Sequence, residues 1–164
     1  MATVYLGLGT NLGDRAGNLR QALAALAPQL TVTRLSTCYE SEPAYVLDQP
    51  RFYNIAAQAE TALTPLDVLR HLKRLEAELG RVASRRFGPR LIDLDLLLYD
   101  AVVLDTPELT LPHPRLAERA FVLVPLAEIA PAVVPPGQGW TLAQLRDHLG
   151  ATASMLWPVE IQLT

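Results

Sequence analysis

Apolar and polar positions along the chain follow two different periods, which predicts a fold that combines strands with helices. Strands are indicated where β-forming residues cluster or where apolar and polar residues alternate: 3–9, 30–40, 52–61 and 93–99. In the last of these, every second residue from Ile92 to Leu98 is apolar, so that face of the strand is expected to be buried. Helical spacing of apolar residues indicates helices between residues 14 and 28 and between residues 64 and 80.

Local capping residues mark the ends of both helices. Asp14 suits the N-cap of the first helix, and Pro28 is expected to end it. Thr64 followed by Pro65 begins the second, because Thr is a favoured N-cap and Pro fits the first helical position. Gly80 supplies the stop at its C-terminal end.

The predicted order of elements, β-α-β-β-α-β, is the split βαβ pattern of ferredoxin-like folds. After Tyr99 the pattern indicates a short strand at 102–104, an apolar helix near 121–129 and a last helix over 141–149. We therefore expect an α+β fold, a ferredoxin-like βαββαβ sandwich with additional C-terminal helices and short strands. A single domain spanning residues 1–164 is expected at this length.

Composition narrows the classes of function and partner. The 164 residues carry a net charge of -3, which argues against general binding to nucleic acid or to a membrane surface. Cys38 is the single cysteine, so neither an intramolecular disulfide nor a thiolate metal cluster is expected. No signal sequence is visible, and no apolar stretch approaches the ~20 residues that span a bilayer, so a cytoplasmic protein is expected. We also expect a monomer.

Four arginines fall in the ten residues 81–90, and the strand that follows opens with two carboxylates. Asp93 and Asp95 are two residues apart, so they share one strand face with Cα atoms about 6.5–7 Å apart. That spacing lets both reach one Mg²⁺, or one of a pair of ions about 3.5–4 Å apart. Alone, the arginines are read as a solvated loop and the acidic pair as a solvated strand end. Together they favour phosphoryl chemistry, because arginine forks suit phosphate groups.

The glycine-rich run from Gly7 to Gly13 is interpreted as a tight turn into the first helix. It has one residue too many before its third glycine for a dinucleotide-binding fingerprint. The sequence also lacks a GxxxxGK[ST] phosphate loop, so a P-loop kinase is excluded. Magnesium and phosphate must then be held by side chains.

Two residues on the third strand suggest recognition of a flat heterocycle. Asn54 is an unusual choice on a strand otherwise rich in apolar residues, and a buried amide presents both a donor and an acceptor. Phe52 projects from the same strand face and can stack on such a ring. The simpler alternative is an edge-strand asparagine beside an aromatic core residue, and the pattern alone favours it.

The histidines receive mostly structural interpretations. His113 lies between two prolines, where it is either a turn residue or, with the nearby Arg115 and Arg119, part of an anion contact. His71 and His148 fall in predicted helices and are interpreted as surface residues.

The run from Arg86 to Leu97, Arg-Phe-Gly-Pro-Arg-Leu-Ile-Asp-Leu-Asp-Leu-Leu, closely resembles the motif of the 6-hydroxymethyl-7,8-dihydropterin pyrophosphokinases of folate biosynthesis. The similarity extends from the N-terminus to about Pro131. Other segments match the family in the same order: Tyr5–Gly13, Ser41–Pro43, Asp48–Pro50, Phe52–Asn54, Glu76–Arg81, Leu111–His113 and Arg119–Leu126.

The resemblance implies transfer of an intact pyrophosphoryl group from ATP to the pterin hydroxymethyl oxygen, with release of AMP. It also implies that Asp93 and Asp95 bind two magnesium ions, which bridge the triphosphate and screen its charge from the attacking hydroxyl. Arg81 and Arg90 match arginines that contact the phosphates during the transfer. Arg85 and Arg86 lie in a loop that, in the family, closes over both substrates.

The resemblance further assigns residues to each small-molecule substrate. For the pterin, the two aromatic rings, the amide and the contacting loop match Phe52, Phe121, Asn54, Glu42, Pro43 and Ala44. For ATP, the positions near adenine, ribose and phosphates match Glu76, Thr110, His113 and Arg119, with Arg81, Phe87 and Arg90 from the arginine loop and Lys73 and Leu96 at neighbouring positions.

Departures from the family are confined to the nucleotide side. Phe87 stands where a tryptophan is common, Pro114 where an aromatic residue often follows the histidine, and the arginine loop is one residue shorter. Two other classes of function are alternatives: a ferredoxin-like small-molecule-binding module without catalysis, and a nucleotidyl- or glycosyltransferase that uses D-x-D for its metal. Neither gives the set Phe52, Asn54 and Phe121 a role.

Overall fold

The computed structural model describes residues 1–43, 48–80 and 91–164. Within this part the chain forms an antiparallel sheet flanked by four α-helices. The strands are β1 (Ala2–Thr10), β2 (Leu30–Leu35), β3 (Cys38–Ser41), β4 (Phe52–Thr61), β5 (Asp93–Tyr99), β6 (Leu104–Asp105), β7 (Thr110–Leu111) and β8 (Leu156–Val159). The helices are α1 (Arg15–Leu26), α2 (Pro65–Glu78), α3 (Ala120–Ile129) and α4 (Leu142–Leu149).

The main sheet has the strand order β5-β1-β4-β3-β8, and β2 pairs with β4 beside β3. Every pairing in it is antiparallel. Both neighbours of β1, the β4 and β5 strands, come from distant parts of the chain, so the centre of the sheet is closed by long-range pairing. A separate two-stranded sheet joins β6 to β7.

Each face of the sheet buries its own hydrophobic core. On the first face, which we call the α1/α2 face, Leu6 and Leu8 of β1 pack with Leu19, Leu72 and other buried residues of α1 and α2. On the second, the α3/α4 face, Leu97 packs with buried residues of both C-terminal helices, which are Val122, Leu123, Leu126, Leu142 and Leu145. The sheet is therefore covered on both sides, which explains its high apolar content.

The predicted helix boundaries are confirmed because they depend on local capping. Asp14 accepts the backbone N–H of Gly17 at 3.0 Å, and Thr64 accepts that of Asp67 at 3.2 Å. Gly80 follows the second helix with a φ of 85°, which a residue with a side chain rarely adopts. The helix predicted over 141–149 also forms, with a reciprocal capping box at its start.

The single strand predicted over residues 30–40 is wrong, because the structure breaks it into β2 and β3. The register of pairing with β4 shifts between Leu30 and Tyr39. Ser36 and Thr37 therefore belong to neither strand. The Ser36 hydroxyl accepts the Ala56 N–H at 2.8 Å and takes the place of a backbone carbonyl in the ladder.

The prediction that one face of β5 carries all four alternating apolar residues is also wrong at its C-terminal end. Leu96 lies opposite Leu6, but Leu98 lies opposite Tyr5, so Leu97 is an extra residue in β5. This bulge turns Leu98 to the α3/α4 face, whereas Leu96 stays in the core of the α1/α2 face. Asp93 and Asp95 precede the bulge and keep the shared face that their spacing predicts.

Two further interpretations need correction. His71 is buried, not on the surface, and its Nε2 lies 3.3 Å from the Leu26 carbonyl oxygen. The glycine-rich run is only partly a turn: Gly7 and Gly9 belong to β1, and Gly13 alone adopts a turn conformation, with a φ of 65°. Within the described residues, no helix combines the length and the apolar character that a membrane span requires.

Candidate active site

One row of residues crosses the centre of the sheet on its α3/α4 face. Gly9 of β1 lies opposite Asn54 of β4 on one side and opposite Asp93 of β5 on the other. Directly opposite residues of antiparallel strands share a face, so Asn54 and Asp93 flank a position without a side chain. The next row repeats the arrangement with Ala56, Gly7 and Asp95.

Glycine in the middle strand keeps this surface open. A Cβ atom at Gly9 would lie 3.6 Å from Oδ1 of Asn54 and 3.7 Å from Cδ1 of Phe52. It would therefore fill the space between these two side chains without a clash. Gly9 leaves a shallow floor on which a flat molecule can lie between the amide and the carboxylates, whereas the Leu97 side chain covers the position of Gly7.

Asn54 is held in place by its neighbours on β3. Its Nδ2 donates to Oγ of Ser41 at 2.8 Å and to the carbonyl oxygen of Tyr39 at 3.2 Å. Because these two partners use the donor side of the amide, Oδ1 remains on the side of Gly9 as an acceptor. The amide is therefore oriented to receive hydrogen bonds from a ligand.

Two phenylalanines lie on the same face of the sheet. Phe52 shares the strand face of Asn54, two residues away, and is half-buried. Phe121 lies in the first turn of α3, which covers this face, and it packs at the margin of the core there. The guanidinium carbon of Arg119 is 5.6 Å from the centre of the Phe121 ring, so a cation accompanies this aromatic group.

The carboxylates at the start of β5 form an electrostatically strained group. The pKa of Asp95 is raised to about 7, first by burial and then by the negative charges of Asp93 and Glu76. The cations Lys73 and Arg119 act in the opposite direction. Such a group favours a bound divalent cation, because the cation offsets the repulsion between the carboxylates.

Glu76 of α2 is the third acid of this group, and it is buried. Its Oε2 accepts the backbone N–H of Leu94 at 2.8 Å, between the two aspartates in sequence. Its Oε1 lies 3.5 Å from Nζ of Lys73. Burial raises the pKa of Glu76, and the nearby charge of Asp93 adds to the effect. The contact ties the start of β5 to the second helix.

His113 and Arg119 approach the carboxylates from the segment between β7 and α3. The backbone N–H of His113 donates to the Leu97 carbonyl oxygen at 3.0 Å, so the bulge in β5 anchors this segment. The pKa of His113 is lowered by burial and then by the charges of Arg119 and Arg115. The imidazole is therefore neutral at pH 7 and available for uncharged hydrogen bonding.

The profile of the 7,8-dihydro-6-hydroxymethylpterin-pyrophosphokinase (HPPK) family matches residues 5–131, the part of the chain that builds this site. The chain belongs to the HPPK family. The prediction of an ATP-dependent pyrophosphokinase of folate synthesis is thereby confirmed at the level of the family.

Relatives of different lengths share this similarity. The Bacillus subtilis protein named 2-amino-4-hydroxy-6-hydroxymethyldihydropteridine pyrophosphokinase is 46% identical over 131 residues, which cover 79% of this chain and 78% of that protein. The folic acid synthesis protein FOL1 of Dictyostelium discoideum is 42% identical over 146 residues, 89% of this chain but 22% of that protein. This chain thus spans most of the first relative and about a fifth of the second.

Solved structures confirm the fold. The HPPK-DHPS protein of Plasmodium falciparum, in its crystal structure with pteroate, aligns with 98% of this chain and 46% of its own, with a TM-score of 0.80. Because the two sequences are only 16% identical, this likeness concerns the fold alone.

The structure brings some of the expected site residues together on one sheet face, and it does not do so for others. Asp93 shares a face with Asp95, and Phe52 with Asn54, as the two-residue spacings predict, and pairing through β1 puts both pairs on the same face of the sheet. Leu96, expected near ATP, is only 3% exposed and faces the α1/α2 core, so any nucleotide contact there must come from its backbone. The expected residues Ala44, Arg81, Phe87 and Arg90, together with Arg85 and Arg86, lie outside the described residues.

The remaining expected residues lie in different elements. Lys73 is exposed beside Glu76, Glu42 is exposed and Pro43 buried just beyond β3, and Thr110 pairs with Asp105 in the small sheet. Ser41 was missed as an anchor of Asn54, since the sequence does not reveal which residues face each other across β3 and β4. The alternation within β3 and the Ser41–Pro43 match to the HPPK family were the available signals.

In the described part of the chain, no group of three or more His, Cys, Asp and Glu side chains is arranged to hold a metal ion. Asp93 and Asp95 nevertheless fit magnesium, which takes one or two protein carboxylates and completes its shell with water and substrate phosphates. Two carboxylates are therefore enough for an ion whose other ligands are water and phosphate oxygens.

Proposed function

We propose that this chain transfers pyrophosphate from ATP to the hydroxymethyl group of 6-hydroxymethyl-7,8-dihydropterin on the open floor between Asn54 and Asp93. The observation that carries the proposal is their placement on either side of Gly9 on one sheet face. A hydrogen-bonding amide for the heterocycle and a carboxylate pair for a phosphate-bound cation then lie in adjacent strands. One substrate can be held at each side, with the reacting groups meeting above the glycines.

On the pterin side, Asn54 recognises the edge of the heterocycle through Oδ1, and Phe52 and Phe121 contact its faces. Their support is geometric: Phe52 shares the face of Asn54, and Phe121 lies on the helix that covers it. Glu42 and Pro43, which immediately follow Ser41, border the pterin, and Ala44 continues that segment.

On the nucleotide side, Asp93 and Asp95 hold two magnesium ions. When bound, the ions supply charge screening and orientation of the triphosphate. Glu76 fixes the backbone between the two aspartates and, with Lys73, completes the charge balance of the group. These contacts keep the carboxylates in position before substrate arrives.

Cations and polar groups around the carboxylates bind the rest of ATP. Arg119 places its charge near both Asp95 and His113 and is suited to a phosphate. The nucleoside of ATP is contacted by Thr110, Glu76 and the neutral imidazole of His113. Positions next to the nucleoside are assigned to Lys73, Phe87 and the backbone of Leu96. Arg81 and Arg90, from the resemblance, stabilise charge as AMP departs.

We further propose a ferredoxin-like description of the sheet and its first two helices, in one domain over residues 1–164. The strand order β5-β1-β4 with β2 and β3 at the outer side supports it. A cytoplasmic monomer remains our proposal for location and oligomeric state. The alternative of a binding module without catalysis gives the carboxylate pair no role and is disfavoured by membership of the HPPK family.

Kinetic constants of paired variants test the assignment. Asp95→Asn keeps the shape of the side chain but removes its charge, so kcat is expected to fall about a thousandfold. Asn54→Leu is expected to raise the KM for the pterin about tenfold or more, with the KM for ATP little changed. Asp67→Asn, which removes a carboxylate from the start of α2, is the control. Near-normal kcat in Asp95→Asn, or an effect of Asn54→Leu on ATP alone, would contradict the proposal.

A further inference from the structure

A chain of four alternating charges lies at the corner of the sheet where β3 ends and β4 begins. Nη1 of Arg15 is 3.0 Å from Oε2 of Glu40, whose other oxygen, Oε1, is 3.6 Å from Nη1 of Arg51. Nε of Arg51 then lies 2.9 Å from Oε1 of Glu42. This series of ion pairs, the charge chain, ends at Glu42, which is one of the residues assigned above to the border of the pterin.

This charge chain lies on the reverse side of the proposed pterin site. Glu40 is opposite Tyr53 of β4 and opposite Trp157 of β8, so these three side chains share the α1/α2 face. Ser41 is opposite Phe52, and that rung points to the α3/α4 face. The charged side chains therefore stabilise β3 and β4 from the opposite face of the sheet and do not occupy the proposed pterin site.

Arg51 and Glu42 occupy the next rung of this ladder. Ser41 and Phe52 form the last paired rung of β3 and β4. Glu42 comes directly after Ser41, and Arg51 comes directly before Phe52. Their ion pair continues the pairing through side chains where the backbone ladder stops. This ion pair fixes the distance between the segment that follows β3 and the segment that precedes β4.

Arg51 is held from two further directions. Its guanidinium carbon is 4.8 Å from the centre of the Trp157 ring, which ties it to the C-terminal strand β8. Its carbonyl oxygen accepts a hydrogen bond from Nη1 of Arg15 at 2.9 Å. Asn11 donates to the preceding carbonyl oxygen, that of Pro50, at 2.9 Å. The backbone before β4 is thus fixed while the side chain of Arg51 reaches back to Glu42.

We propose that Arg51 is a positioning residue of the pterin site, holding Glu42 and Pro43 at the end of the Ser41–Phe52 rung through its ion pair with Glu42. This inference depends on the pterin assignment made under Proposed function. Arg51 touches no substrate in this account, and its effect passes through Glu42. Exposed ion pairs are individually weak, so the effect on pterin binding is expected to be moderate.

Charge reversal tests the inference. Arg51→Glu places a third acid between Glu40 and Glu42 and is expected to raise the KM for the pterin about threefold to tenfold. The KM for ATP and kcat are expected to stay within about twofold, because the carboxylates of β5 are not involved. Arg51→Lys keeps a positive charge opposite Glu42 and should leave the pterin KM within about twofold of the parent value. Arg146→Glu is the matched control, since Arg146 pairs with Asp147 at 3.4 Å on α4.

The outcomes separate the inference from the site on which it depends. An unchanged pterin KM in Arg51→Glu, or a rise in Arg51→Lys as large as that in Arg51→Glu, would overturn the role of Arg51. If Asn54→Leu also left the pterin KM unchanged, the pterin site itself would be misplaced. Should Arg51→Glu fail to fold, Arg51→Met gives the same comparison without a repulsive charge, and an unchanged pterin KM there would equally overturn the inference. A rise in the pterin KM in Arg51→Glu with unchanged ATP constants, together with a near-parent pterin KM in Arg51→Lys, would support it.

Discussion

The amide of Asn54 and the hydroxyl of Ser41 form a hydrogen bond of 2.8 Å across the β3–β4 pair. Because Ser41 accepts from Nδ2, the amide is fixed with Oδ1 on the side of Gly9. Ser41 therefore sets which hydrogen-bonding group meets a ligand, although it need not contact the ligand itself. The orientation is built before any substrate binds.

Ser41→Ala should weaken pterin binding without a large effect on ATP. Loss of one hydrogen bond of this kind is worth about 1 kcal/mol, or about fivefold in the KM for the pterin. Thr61→Val is the control: it also removes a buried hydroxyl from the Asn54 strand, β4, at the end far from the site. Equal effects of both substitutions on the pterin KM would show that Ser41 acts only through stability.

Asp95→Asn should stabilise the fold while it abolishes turnover. The folded-state pKa of Asp95, about 7, lies above its ordinary value of 3.8, so the folded chain binds the proton more tightly than the unfolded chain. The penalty for ionising Asp95 is absent below pH 4 and grows as pH rises to 7. At pH 8, without magnesium, the variant should gain on the order of 1 kcal/mol of unfolding free energy.

Urea unfolding in EDTA at pH 4 and pH 8 measures this effect. The gain should be present at pH 8 and nearly absent at pH 4. Asp67→Asn, at the exposed start of α2, serves again as control. A loss of stability at pH 8 in Asp95→Asn would contradict the electrostatic description of the site.

Cys38 should be almost inert to alkylation in the folded protein. Burial raises the pKa of this thiol from 9.0 to about 11, and the residue is 3% exposed. At pH 8.5 the thiolate fraction is then about a hundredfold below that of an ordinary thiol. Iodoacetamide labelling, followed by mass spectrometry, should be at least this much slower than in the urea-unfolded chain. Rates within tenfold of each other would mean that β3 opens readily.

Tyr39→Phe should loosen the contact between β3 and α3. The phenol of Tyr39 donates to Oε1 of Glu128 at 2.6 Å, and Oε2 of Glu128 accepts from Thr37. We expect a loss of about 1–2 kcal/mol in unfolding free energy, since the acceptor is charged. Glu128→Gln, which keeps an acceptor oxygen, should lose less. An equal or larger loss in Glu128→Gln would show that the carboxylate charge or the Thr37 contact dominates.

The same phenol gives a prediction at high pH. Burial, followed by the hydrogen bond to Glu128, raises the pKa of Tyr39 to about 12 from 10.0. Its stabilising contribution is complete below pH 10 and is lost as pH rises through 12. The difference in stability between the parent and Tyr39→Phe should therefore shrink across this range, as unfolding curves at pH 9 and pH 12 can measure.

Features set by near neighbours in sequence were predictable. Asp14 and Thr64 cap their helices because the contact spans only a few residues, and the two-residue spacing of Asp93 and Asp95 fixes their shared face. The break at Ser36 and the extra residue Leu97 were not predictable, since both depend on register against a strand far along the chain. His71 was misjudged for the same reason: its position in the helix does not reveal that α1 covers it.

The site was predictable to the extent that family motifs carry it. The relation of Asn54 to Asp93 required the β1 strand between them, and Gly9 was interpreted as part of a turn. The charge chain through Arg51 required the pairing of β3 with β4 and the approach of α1, and the contact of Arg51 with Trp157 required the pairing of β8 with β3. Such long-range pairings are set by the tertiary fold and leave little trace in local patterns.

The most direct test follows the phosphorus atoms of ATP. The protein is mixed with magnesium, 6-hydroxymethyl-7,8-dihydropterin and ATP labelled at either the α or the β phosphorus, and the products are separated. Pyrophosphoryl transfer predicts the β label on the pterin and the α label in AMP, in equal amounts. Appearance of the β label in ADP would mean transfer of a single phosphoryl group and would contradict the account.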